Sequence, residues 1–299
     1  MDILPQIRTF FKKKYKKKYD LTTILAYDTI LPFQTVNSNK GIIIDMKENN
    51  EKLTVTFKRM FSLKQDTATH EEIRDRLLSG GKFTGTNMCV LICAMLIASV
   101  GLNMGSTAVI IGAMLISPLM GSILAMAYGS VANNFGLTKN YAVTFLMQII
   151  ISVGISTIYF LLSPVKEATS ELMARTSPNF YDVLIATFGG IAGIIGQTRQ
   201  DKANNIIPGV AIATALMPPL CTCGYSIAGG HWRMLGGAAY LFLINTYFIY
   251  LSSAVILSIL RIPKEKELTE AEWKKRRRRM IINTIIIIIP SIAAVYFMI

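Results

Sequence analysis

The chain has 299 residues, 52% of them hydrophobic and only 16% charged, with a mean hydropathy of +0.44. Soluble domains carry about 25% charged residues, whereas here no Asp, Glu, Lys or Arg occurs between Phe83 and Thr138. Such stretches lack the charged faces a water-exposed helix needs, which excludes a soluble fold for most of the chain, and each is long enough for spanning helices. The net charge of +13 is then expected to be the Lys and Arg that flank membrane spans on the cytoplasmic side, with no nucleic acid as partner.

Residues 1–20 form a basic segment whose run from Lys12 to Lys18 is broken only by Tyr15. It has two readings, a patch lying on anionic lipid or a solvated tail that fixes orientation. Residues 21–80 read as a small soluble α+β cytoplasmic region. β-Branched and aromatic runs alternate there with Asn, Ser and Gly, and a short helix is predicted over 70–78 with Thr69 as its N-cap. Gly80 and Gly81 close the region.

About seven transmembrane helices follow, predicted over 86–101, 106–131, 140–162, 183–198, 206–229, 234–260 and 280–298. Residues 84–163 form a first transmembrane unit and 182–261 a second. Residues 262–279 form a basic cytoplasmic loop that ends in the run from Lys274 to Arg279, a second candidate for anionic lipid. Residues 280–299 hold the C-terminal helix.

Displacing the sequence by 101 residues aligns the two units without a gap: Asn103 falls on Asn204, Val109 on Val210, Leu115 on Leu216, Pro118 on Pro219 and Gly129 on Gly230. The expected fold is therefore an all-α membrane protein of two three-helix repeats with proline-broken middle helices. If every helix spans, the N-terminus and the basic loops lie on one side, as the positive-inside rule requires, and the repeats are inverted. If the middle helices are re-entrant, the repeats are parallel.

Proline within a helix removes a donor and clashes with the preceding turn, so the freed carbonyls and amides must find protein partners or line a wet cavity. A break thus serves either as a structural kink or as a solute site. The candidate binding residues are Ser117, Pro118 and Gly121 in the first unit and Pro218, Pro219 and Thr222 in the second, with Asn103 and Asn204 supporting the site or gating it. Ser117 is placed to cap a half-helix beginning at Pro118. Gln148, Gln197 and Asn245 are expected to bond between helices. Gly101, Gly105, Gly189, Gly193 and Gly196 are expected at close helix crossings, within or between subunits of a homo-oligomer. Cys89, Cys93, Cys221 and Cys223 read as small packing residues or as a soft-metal site. With two histidines and no carboxylate at a helix centre, neither a metal nor a catalytic residue is assigned, and Asp182 and Asp201 remain as helix-end gates or ion ligands.

The motifs NMGSTAVIIGAMLISPLMG, residues 103–121, and PGVAIATALMPPL, residues 208–220, resemble the prokaryotic membrane family known as domain of unknown function 389. The resemblance covers roughly residues 80–230 and implies a multi-pass protein of the prokaryotic cytoplasmic membrane. It brings no activity, substrate or cofactor with it. The function expected from the residues is a secondary transporter or channel for a small solute or ion, not an enzyme. The alternative is a membrane-embedded scaffold or sensor whose cytoplasmic region binds lipid, nucleotide or a partner.

Overall fold

The computed structural model describes residues 67–165, 167–200 and 216–265, with isolated positions between 269 and 285. The basic N-terminal segment, nearly all of the expected α+β region, Asp201, Asn204, the leading half of the second middle helix and most of the C-terminal helix lie outside the described residues. Those that are described are helical, joined by short turns, with one isolated bridge between Thr67 and Arg199.

Helix α1, His70–Gly80, is amphipathic and starts as expected: Thr69 accepts from the Glu72 amide, and Glu72 accepts in return from the Thr69 amide. It buries Ile73 and Leu77. Helix α2, Gly85–Asn103, begins at the Thr84 cap and ends in a turn whose Gly105 takes a left-handed φ of 63°. Two shorter helices follow, α3 (Thr107–Ile116) and α4 (Leu119–Val131), which meet at 46° across Ser117 and Pro118. Helix α5, Phe135–Leu162, is capped by Asn134, whose side chain accepts from the Leu137 amide at 2.9 Å. A single-turn helix, α6 (Ser170–Ala174), precedes α7 (Phe180–Thr198), whose first turn is closed by a reciprocal pair between Asn179 and Asp182. Helix α8, Met217–Gly229, stops at left-handed Gly230, and α9, Trp232–Ile259, completes the described bundle.

Four of these helices, α2, α5, α7 and α9, are long and apolar enough to cross a membrane, and the bent α3–α4 pair qualifies if it is one span. At 1.5 Å per residue, 19 residues reach about 28 Å, close to the hydrocarbon thickness. The 28-residue α5 and α9 reach about 42 Å and must project beyond it. The outside of the bundle is more apolar than parts of its inside. Helix α5 exposes Val143, Leu146, Met147, Ile150, Ile158 and Leu161, while its inward face buries Gln148, Ser152 and Ser156. In water that arrangement would be inverted, so the surrounding solvent is lipid.

Contacts along the bundle fix the helix directions. Gly81 lies against the Tyr141 ring at one end, and Asn103 bonds to Ser163 at the other, so α2 and α5 run parallel. A Cβ on Gly237 would strike the Thr176 carbonyl, and Gly190 lies against Ile249 and Ser252, so α7 and α9 run parallel as well. Phe145 stacks on Phe242 at 5.9 Å while Asn134 bonds to Glu265, so α9 runs opposite to α5. One end of the bundle therefore carries Lys82, Lys139, Arg199, Arg261 and Lys264. The opposite end carries Arg175 and Arg233. The basic end is tied by two bonds, from the Glu265 amide to the Ala132 carbonyl at 2.8 Å and from Asn134 to the Glu265 carboxylate at 2.6 Å.

The two short helices carry the core of the bundle. Helix α4 packs on α1, α5 and α9, while α8 packs on α2, α5 and α9. Every residue of α8 from Met217 to Ser226 is buried.

Candidate functional site

At the first break the chain leaves the helix at Ser117, φ −72° and ψ 130°, and re-enters through Pro118, φ −82° and ψ 0°. A helix interior has no place for proline, but the position just before α4 needs no amide donor. The cap differs in register from the sequence expectation. Pro118 holds the N-cap position and α4 starts at Leu119; Ser117 accepts from the Leu119 amide at 3.4 Å from one residue further out. Ser117, Pro118 and Gly121 are half-buried, and Gly121 sits directly against the Gly80 carbonyl, with no room for a side chain. In the first turn of α4, buried Ser122 donates to the Gln148 carboxamide at 2.9 Å.

In the second unit Pro218 and Pro219 occupy the first turn of α8, where missing amides again cost nothing. The Thr222 hydroxyl donates back to the Pro218 carbonyl at 2.9 Å and Ser226 to the Thr222 carbonyl at 2.7 Å, so both hydroxyls serve their own helix. The Cys221 carbonyl accepts from Ser156 of α5 at 3.0 Å, and Ser99 of α2 joins the same group, 3.2 Å from Ser156 and 3.6 Å from the Cys221 sulfur.

The two short helices meet on α5. Ser122 touches α5 at Gln148, and Cys221 touches it at Ser156, two turns or about 12 Å along the axis. The candidate residues are thus shared out along α5 and not gathered at one point. Asn103 stands apart from the first break, at the far end of α2, where its amide donates to Ser163 at 2.7 Å and Tyr159 at 3.3 Å. Its Oδ1 is buried without a partner.

Sequence reasoning had named Gln148 only as a link between helices and had passed over Ser99, Ser122, Ser152 and Ser156. Gln148, Ser152 and Ser156 recur every fourth residue, which places them on one helix face; that spacing was the available signal. Cys89 and Cys93 point outward from α2, while Cys221 and Cys223 are buried in α8, so the two pairs are not brought together. Among the described residues no three His, Cys, Asp or Glu side chains come close enough to hold a metal. Asp182 closes a helix cap.

Residues 114–251 match the domain of unknown function DUF389. The resemblance carried by the two motifs thus holds, over a segment that starts in α3 and ends within α9. The chain is 31% identical over 172 residues to an uncharacterised protein of Methanocaldococcus jannaschii, an alignment covering 58% of this chain and 53% of that one. The chain spans about half the length of that curated relative. No solved structure matches this chain.

Proposed function

We propose that this protein is a transporter or channel for a small solute or ion, built from two inverted three-helix repeats, with its path running along α5 between the two proline breaks. What carries the reading is the antiparallel relation of two parallel helix pairs. Helices α2 and α5 run from the basic end to the opposite end, and α7 and α9 run back. The 101-residue displacement brings α5 to within four residues of α9, both 28 residues long, and α4 to within three residues of α8. Each of those short helices packs on the long helix of both units. A fold related to itself by inversion offers two arrangements of nearly equal energy, the property alternating access needs.

The basic end, with Lys82, Lys139 and Lys264, would face the cytoplasm and its anionic leaflet. The test is flux. Replacing Pro118 and Pro219 by Ala restores amide donors at the two helix starts and should abolish solute or ion uptake into proteoliposomes while membrane insertion persists. Equal uptake by the native and doubly substituted proteins would refute the role of the breaks. No uptake by the native protein of any member of a broad panel would favour the scaffold or sensor reading.

A further inference from the structure

Among the described residues, two of the buried polar atoms without a hydrogen-bond partner lie close together on α5. Gln148 and Ser152 are both fully buried, and the Gln148 Nε2 and Ser152 Oγ atoms make no hydrogen bond. They lie one turn apart on the same face of α5. Their isolation is not a general habit of hydroxyls here: Thr157 donates to the carbonyl four residues back at 2.8 Å, and Ser258 does the same at 2.8 Å. Ser152, which could make that bond, does not. The carboxamide of Gln148 rests against the first turn of α4 through Ser122. Whichever way the amide is turned, one polar atom serves Ser122 and the other is left unsatisfied. Buried groups of this kind are satisfied in native proteins by ordered water or another bound molecule that supplies the missing bonds.

From these observations, and resting on the transport reading above, we propose that Gln148 and Ser152, beside the N-terminal turn of α4, bind a small uncharged polar solute carrying hydroxyl or amide groups. The charge of the solute follows from the walls. Helices α2, α4 and α8 carry no Asp, Glu, Lys, Arg or His, and neither does α5 beyond Lys139. An ion placed here would meet no counter-charge on these helices and would have to be desolvated against dipoles alone. A neutral molecule that both donates and accepts meets no such cost. Below this position Ser156 and Ser99 continue the polar face towards the second break.

The experiment uses the full chain in proteoliposomes, with urea and glycerol as probes and stopped-flow light scattering as the readout. The native protein is expected to raise the permeability to at least one probe above that of protein-free vesicles. Ser152→Ala and Gln148→Met should each lower it about tenfold, the value of one hydrogen bond of about 1.4 kcal/mol. Ser152→Ala removes a group that the fold itself does not use, so its melting temperature in detergent should not fall, which separates lost binding from lost folding. Neutral flux that both variants leave unchanged would overturn this position and leave the transport reading standing. An ionic current without neutral flux would overturn the solute class alone. Absence of any flux from the native protein would remove both.

Discussion

Gly224 sets how closely α8 approaches α5, and Gly224→Ala tests that packing directly. A Cβ at this position would lie 2.6 Å from the Cβ and Oγ of Ser156 and 2.8 Å from the Thr157 amide nitrogen. Carbon atoms in contact rest about 3.5–4.0 Å apart, so the two helices would have to part by about 1 Å. Forcing extra volume into a packed core costs about 1–3 kcal/mol. The same movement stretches the bond from Ser156 to the Cys221 carbonyl, now 3.0 Å, beyond hydrogen-bonding range, and leaving a buried hydroxyl unpaired costs a further 1–3 kcal/mol or so. Alanine returns about 1 kcal/mol of helix propensity. The net loss is about 1–5 kcal/mol. The assay is unfolding in a mild detergent titrated with a denaturing one, followed by circular dichroism. Gly112→Ala is the companion measurement: Gly112 is exposed on α3, and an added Cβ meets nothing within 4 Å. That substitution should stabilise α3 by up to about 1 kcal/mol. A Gly224→Ala protein as stable as the native one would refute the close crossing of α8 on α5.

Other consequences are as direct. Thr69→Ala removes the capping box of α1 and should cost about 0.5–2 kcal/mol, seen as faster amide exchange in residues 70–80 with the rest of the bundle unchanged. N-Ethylmaleimide in detergent should modify the exposed Cys89 and Cys93 and spare the buried Cys221 and Cys223 until the protein unfolds, a pattern that intact mass spectrometry counts. Glu265→Ala breaks the bond to Asn134. It should hasten tryptic cleavage at the exposed Lys264 while moving the melting temperature little, because an exposed polar contact contributes at most about 1 kcal/mol.

The membrane class was legible from charge-free stretches alone, because no helix surrounded by water could carry them. Helix ends with local causes were legible too. The Thr69 cap with Glu72 and the break at Pro118 depend on neighbouring residues and left their mark in the sequence. The long helices came out a few residues longer than expected. Helix α5 begins at Phe135 and not near 140, because Asn134 caps it and the helix continues past the apolar stretch by which spans are recognised. The candidate site was half legible. Pro118 announced the first bend, but what each short helix touches depends on helices distant in sequence, Gln148 against Ser122 and Ser156 against Cys221. Serines look unremarkable in a membrane helix, where they bond their own backbone at little cost. Only the folded arrangement separates Ser152 from Thr157.

An inverted repeat requires α5 to cross in the same direction as α2. Single cysteines at Lys82, Lys139, Met173 and Lys264, in a background with the native cysteines replaced, can be labelled in intact cells with a membrane-impermeant thiol reagent. If the α3–α4 pair crosses the membrane and the repeats are inverted, Cys at 82, 139 and 264 will all lie on one side and Cys at 173 on the other. Labelling that places 82 and 139 on opposite sides would make the pair a re-entrant hairpin, contradict the inverted repeat and remove the basis for alternating access.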